Sequence, residues 1–142
     1  MLVKHRRVDE GFDLGHIGDS RTYRVRKGAL KQLTKNHSLV QDQIDHGILT
    51  QEQARDHSMK NVIFRAGGVE ENLALDLTNG EIYPGDIFLL CSDGLTDMIE
   101  DDLILQVLIS VGDLSQKAEK LIELANSAGG GDNITVVHSE IQ

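Results

Sequence analysis

Three aspartates share a distinctive local context. Asp19 follows a glycine, Asp93 precedes one, and Asp132 follows three in a row. Small neighbours allow a backbone to approach an ion closely, and carboxylate ligands without histidine or cysteine suit a hard cation such as Mg²⁺ or Mn²⁺. Since Mg²⁺ keeps several of its waters, few protein ligands suffice. The sequence therefore predicts that these three aspartates ligate a divalent metal ion.

Asp93 lies at the end of the most apolar stretch of the chain. Residues 87–91 are a continuous apolar run after the turn signal Pro84-Gly85, and the run is short enough for a strand buried on both faces. A buried, unpaired carboxylate costs several kcal/mol, roughly, so a compensating cation is expected there. An isolated Asp-Gly pair would instead favour a hairpin turn. The recurrence of the same context at Asp19 and Asp132 favours the metal site.

Other metal and nucleotide sites fit the sequence poorly. An EF-hand loop beginning at Asp93 would place Leu95 at a ligand position, and the glycines at 129–131 lack the Lys-Ser/Thr of a P-loop. Six histidines form no zinc-binding pattern, and His37 and His46 are predicted to be surface or capping residues. Cys91, in the apolar run, is predicted to be an inert core thiol.

Composition restricts the classes of partner. The chain has 142 residues, a net charge of −9 and 39% hydrophobic residues, which is typical of one globular domain. The acidic surplus disfavours nucleic acid or an anionic membrane as the main partner. A single cysteine excludes an internal disulfide, and neither a membrane-spanning run nor an apolar signal-peptide core is present, so a cytoplasmic location is expected.

The elements that must position the aspartates follow from local patterns. Residues 1–9 have no strand or helix period and are predicted to form a frayed terminus. Asp19 is expected just before a β-hairpin of residues 22–26 and 29–33. Further elements are two short helices from residues 39 and 50, a strand at 73–77 ended by Thr78-Asn79-Gly80, helices from residues 100 and 113, and a closing strand at 134–138. This order predicts an α+β fold with mainly antiparallel pairing.

Five motifs occur in a fixed order along the chain. They are residues 18–21 (GDSR), 33–38 (LTKNHS), 61–68 (NVIFRAGG), 85–95 (GDIFLLCSDGL) and 130–136 (GGDNITV). In this respect the chain resembles the bacterial metal-dependent protein serine/threonine phosphatases of type 2C, from about His16 to its C-terminus. Each motif alone is weak, but the ordered set is highly specific.

The resemblance implies a β-sandwich flanked by helices, with two Mn²⁺ or Mg²⁺ ions that activate a water for direct attack on phosphorus. Asp93 matches the ligand shared by the metals, Asp132 matches the ligand of the Asp-Asn motif, and Asp19 matches a ligand of a third, weaker ion. Residues 39–60 match a mobile flap-like helical insertion. The family's opening portion, which supplies further ligands, has no counterpart, and residues 1–12 lack the apolar strand expected before the first motif.

The function implied is hydrolysis of phosphoserine and phosphothreonine in proteins, in a signalling role. Residues 1–142 would form a single, partial phosphatase domain, and we expect impaired turnover by this chain alone. The alternative is a non-catalytic phosphatase-like module that binds a partner or forms a homodimer through exposed sheet edges.

Overall fold

The computed structural model describes residues 2–6 by their backbone, together with residues 11–55, 57–59, 62–63 and 75–142. Its strands are β1 (Leu2–Arg6), β2 (Gly11–His16), β3 (Arg21–Arg26), β4 (Ala29–Gln32), β5 (Asp76–Glu81), β6 (Ile87–Cys91) and β7 (Val136–Glu140). Its helices are α1 (Leu39–Asp45), α2 (Gln51–Arg55), α3 (Asp93–Thr96), α4 (Asp101–Ile109) and α5 (Leu114–Ser127). Among the described helices, none is long and apolar enough to cross a membrane.

The strands form two antiparallel sheets. The first sheet has the order β1-β2-β5, and the second has the order β4-β3-β6-β7. Helices α3 to α5 contribute to a core with the second sheet, so the predicted α+β arrangement of antiparallel sheets and helices is confirmed. Among the described strands, β7 and β5 are edges, and each carries an exposed apolar side chain, Val137 and Leu77.

Strand β6 is buried on both faces, as its apolar run predicts. Leu89 and Cys91 belong to the larger core, which helices α3, α4 and α5 share with the second sheet. Phe88 points the opposite way, into a smaller core with Phe12 and Leu14 of the first sheet. The Phe12 and Phe88 rings meet edge to face with centroids 5.2 Å apart, a favoured geometry for aromatic pairs. Strand β6 is therefore the central element of the domain.

Two strands occupy the N-terminal region where the sequence predicted none. Residues 2–6 form β1, which pairs along its whole length with β2, so the prediction of a frayed terminus is wrong for them; residues 7–9 lie outside the described residues. Phe12, Leu14 and His16 are buried at alternate positions of β2, directly before the first motif. The glycines at 11 and 15 and the histidine at 16 concealed this alternation in the sequence. Strand β1 could not be predicted locally, because its hydrogen bonds come from pairing with β2.

Strand β5 continues through the residues predicted to end it. Thr78-Asn79-Gly80 lies inside the strand and pairs with β2, while positions 73 and 74 of the predicted strand are outside the described residues. A Cβ at Gly80 would lie 3.0 Å from the ring of Phe12, so a larger residue there would require that ring to shift. The sequence Thr78-Asn79-Gly80 is typical of a turn, although Gly80 here lies inside a strand and permits the close approach of the Phe12 ring.

The helices begin where the capping patterns predict. Ser38 caps α1 by accepting the Gln41 N–H at 3.2 Å, and Asp113 and Gln116 form a reciprocal capping box on α5. Thr50 and Gln53 bond in the same way at α2. The closing strand β7 starts two residues later than predicted.

An ion pair between the partly exposed Arg26 and the buried Asp86 links β3 to the turn between β5 and β6. Arg26 donates from Nε and Nη2 to the two carboxylate oxygens of Asp86, at 2.8 and 2.6 Å, and the Tyr83 N–H adds a third bond at 2.9 Å. Burial alone would raise the pKa of Asp86, but the bonds from Arg26 and Tyr83 outweigh it and lower that pKa. The pair therefore favours the folded state whenever Asp86 is ionised.

Asp86→Asn should remove part of the acid sensitivity of the fold. Because the folded-state pKa of Asp86 lies below the unfolded value of about 3.9, its stabilisation is fully present above that value and is lost as the pH falls through the folded pKa. Urea unfolding midpoints measured from about pH 5 to pH 3 should fall less steeply for the variant than for the wild type. Asp102→Asn, at an exposed position, is the control, and equal slopes for all three proteins would contradict the prediction.

Candidate metal centre

Asp93 begins a helix rather than a hairpin. Strand β6 ends at Cys91, Ser92 is the N-cap residue, and Asp93 opens the short helix α3, where its Oδ1 accepts the N–H of Gly94 at 2.9 Å. The turn alternative for this Asp-Gly pair is therefore wrong. The glycine is required because a Cβ on Gly94 would lie only 2.3 Å from the carbonyl oxygen of Asn133.

Asp19 and Asp93 are brought together from distant parts of the chain. Asp19 lies on the loop between β2 and β3, and its side chain lines the same cavity as Asp93, where the two carboxyl groups interact. Burial, followed by repulsion from Asp93 and, more weakly, from Asp97, raises the pKa of Asp19. Two carboxyl groups held this close are stabilised by a shared proton or by a cation between them.

The loop of Asp132 is fastened to the turn that carries Asp93. Ser92 Oγ donates to the Asn133 carbonyl at 3.0 Å and accepts the Thr135 N–H at 3.0 Å. The side chain of Asp132 is exposed and accepts the N–H of Asn133 at 2.7 Å. The predicted ligand thus stands on a loop that packs against Gly94, but its carboxylate is not grouped with the other two.

The donor set fits one hard cation in part. Among the described residues, no group of three or more His, Cys, Asp or Glu side chains is arranged to hold a metal ion. The Asp19–Asp93 pair supplies two carboxylates, which suffice for a hydrated Mg²⁺ or Mn²⁺ ion that completes its shell with water. Assignment of Asp132 to the same centre stays a prediction.

An acidic cleft opens beside the carboxylate pair. It has a volume of about 440 Å³ and lies between α1 and α2 on one side and the Asp19–Asp93 pair on the other. Of the described side chains that line it, six are acidic and one is basic: Asp19, Glu52, Asp93, Asp97, Glu100, Asp101 and Arg21. A cleft of this charge attracts cations and repels anions.

Two groups of residues at the cleft were not predicted from the sequence. Asp97 follows Asp93 by one helical turn, and a helical interpretation of residues 93–97 would have placed both on one face. Asp101 accepts a hydrogen bond at 3.1 Å from the hydroxyl of Tyr23, which in turn accepts one at 3.1 Å from Arg21 Nη1. No local signal links residues 23 and 101, because the contact depends on the packing of α4 against the second sheet.

The remaining reactive side chains are explained by burial. Cys91 is buried in the larger core, so its predicted core position is confirmed, and burial raises the pKa of its thiol to about 12. His46 is exposed, and its Nδ1 bonds to the Asp42 carbonyl at 2.7 Å, as expected of a capping residue. His37 is buried, so its prediction as a surface residue is wrong; the polar residues around it in the sequence gave no sign of this burial.

The fold is that of the type 2C serine/threonine phosphatases. The chain superposes with a TM-score of 0.89 on a serine/threonine phosphatase of Mycobacterium tuberculosis, PstP/Ppp, at 41% identity over 94% of this chain and 56% of that chain. A PPM phosphatase of Mycobacterium smegmatis matches with a TM-score of 0.84 and 35% identity over 92% and 56% of the two chains. No family model matches the chain.

Sequence comparison identifies relatives of the same class. The chain is 44% identical over 128 residues to the serine/threonine protein phosphatase PstP of M. tuberculosis, covering 90% of this chain and 24% of that protein. It is 42% identical over 124 residues to the phosphatase stp of Listeria monocytogenes, covering 87% and 49% respectively. The chain is therefore homologous to part of the bacterial type 2C phosphatases, and it spans about half the length, or less, of these two relatives.

Proposed function

We propose that this chain carries part of the active site of a metal-dependent protein serine/threonine phosphatase. The observation that carries the proposal is the Asp19–Asp93 carboxylate pair at an acidic cleft, in a fold shared with named phosphatases. The reaction would be hydrolysis of phosphoserine and phosphothreonine in proteins. Because the named relatives are phosphatases, the alternative of a non-catalytic binding module is not favoured.

The proposed cofactor is Mn²⁺ or Mg²⁺. A structure of the catalytic domain of PstP is described as a complex with two manganese ions. In this chain Asp19 and Asp93 would hold one ion, and we propose Asp132 as a further ligand. When bound, such ions acidify water and neutralise phosphoryl oxygens.

The charge of the cleft supports metal dependence. Of the described side chains that line the cleft, the six acidic ones would repel a phosphorylated peptide, and the one basic residue, Arg21, already donates to Tyr23 in the Tyr23–Asp101 network. The cleft residues alone therefore do not favour a phosphate group. Divalent cations at the Asp19–Asp93 pair would reverse the local charge and so permit a phosphorylated residue to enter.

The extent of the site predicts slow turnover by this chain. The described residues group two carboxylates, whereas a two-metal hydrolase needs ligands for a pair of ions. Four further predictions stay predictions: a flap role for residues 39–60, a signalling role, a cytoplasmic location and homodimer formation. Helices α1 and α2 line the cleft, which is the contact that such a flap requires.

The test is release of phosphate from a phosphoserine or phosphothreonine peptide, with Mn²⁺ or with chelator. We expect slow, metal-dependent release by the wild type, loss of it in Asp93→Asn, and wild-type rates in Asp102→Asn, which removes an exposed carboxylate outside the cleft. Equal turnover with and without metal, or turnover in Asp93→Asn equal to that of the wild type, would overturn the proposal. Fast turnover would contradict the predicted impairment.

A further inference from the structure

Gly18, the residue before Asp19, is held by two reciprocal hydrogen bonds to His37. The His37 N–H donates to the Gly18 carbonyl at 2.8 Å, and the Gly18 N–H donates to His37 Nδ1 at 3.2 Å. Gly18 has a φ of +102°, in the region that favours glycine. The backbone direction into Asp19 therefore depends on contacts made by a residue 19 positions further along the chain.

These bonds define the protonation of the His37 ring. Because Nδ1 accepts the Gly18 N–H, the ring proton must reside on Nε2. Nε2 then donates to Asp76 Oδ2, at 2.8 Å. Asp76 is the first residue of β5 and pairs with His16 at the end of β2, just before the Asp19 loop. One carboxylate thus selects the tautomer that can hold Gly18.

The surroundings keep the His37 ring in place. It is buried, and the ring of His16 packs against it with centroids 5.1 Å apart. His16 is itself buried, and burial, followed by the proximity of His37, lowers its pKa. The His16 ring on one side and the Asp76 carboxylate on another leave the His37 ring little freedom to turn.

We propose that His37 is a positioning residue that aims the Asp19 carboxylate at Asp93, with Asp76 fixing its tautomer. The inference rests on the proposed function, since it assigns His37 a role in presenting a metal ligand. The same segment also starts α1, because Ser38 caps that helix. His37 therefore joins the carboxylate loop to a helix that lines the cleft.

Two amide variants test the roles of the two His37 ring nitrogens separately. In His37→Asn the amide oxygen can replace Nδ1 as acceptor of the Gly18 N–H, whereas His37→Gln reaches the Nε2 position and can keep only the bond to Asp76. Titration with Mn²⁺ should show affinity about tenfold or more weaker in His37→Gln and near the wild-type value in His37→Asn. Equal losses in both variants, or none in either, would overturn the inference.

A second readout does not depend on metal. In metal-free wild type, the ¹⁵N chemical shifts of the His37 ring should identify a protonated Nε2 and an unprotonated, hydrogen-bonded Nδ1. A proton on Nδ1 would overturn the inference even if both variants failed to fold. Absence of Mn²⁺ binding by the wild type would overturn the proposed function instead, so the two failures are distinguishable.

Discussion

Gly94→Ala is expected to destabilise the fold and separate the loops that carry Asp93 and Asp132. The added Cβ would lie 2.3 Å from the Asn133 carbonyl oxygen and 3.0 Å from its carbon, and both are backbone atoms that cannot rotate away. Overpacking costs typically about 1–3 kcal/mol, and here the loop must move as a whole, so we expect roughly 3 kcal/mol of unfolding free energy to be lost. Urea unfolding followed by circular dichroism measures the loss.

Gly131→Ala is the matched control. A Cβ at that position would meet only the end of the Met98 side chain, at 3.5 Å, which is an ordinary contact with a flexible group. The same glycine-to-alanine change at Gly131, next to Asp132 in the sequence, should therefore alter the stability of the protein little. Wild-type stability in the Gly94 variant, or an equal loss in both variants, would contradict the described packing of the two loops.

Asp93→Asn is expected to abolish measurable Mn²⁺ binding by the chain. The Asp19–Asp93 pair is the donor group that the structure brings together, and the change leaves one carboxylate. Since loss of an outer hydrogen-bonding partner alone costs about 10–100-fold in metal affinity, loss of a ligand should cost at least about 100-fold. Titration of the protein with Mn²⁺, followed by the electron paramagnetic resonance signal of the free ion, measures the affinity.

Metal-free stability distinguishes lost ligation from lost structure. Repulsion from Asp93 contributes to the raised pKa of Asp19, so removing the charge at residue 93 should leave the metal-free protein at least as stable as the wild type. Asp102→Asn, which removes one negative charge from an exposed position, should leave the affinity unchanged. An equal loss of Mn²⁺ affinity in both variants would mean that the net charge of the protein, and not ligation by Asp93, determines the affinity.

The sequence predicted best where local chemistry is decisive. The apolar run of β6, the capping residues at Ser38 and Asp113, and the hairpin of β3 and β4 follow from short-range patterns, and the structure confirms them. The predictions failed where a distant partner decides. Gly80 is a strand residue because it pairs with Phe12 of β2, and β1 is a strand because it pairs with β2.

The same distinction holds at the candidate site. Glycine neighbours identified Asp19, Asp93 and Asp132, and the structure brings the first two together. Arg21, Tyr23 and Asp101 could not be connected from the sequence, because Tyr23 and Asp101 are 78 positions apart in the chain. The buried position of His37 likewise depends on β2 and β5, which local polarity could not indicate.

An anomalous difference map from crystals grown with Mn²⁺ tests the proposed metal ligands most directly. We expect a manganese peak between the carboxylates of Asp19 and Asp93, beside the acidic cleft. A peak bound elsewhere, or none at this pair while Mn²⁺ is present at saturating concentration, would contradict the assignment of these residues as metal ligands and, with it, the proposed phosphatase site.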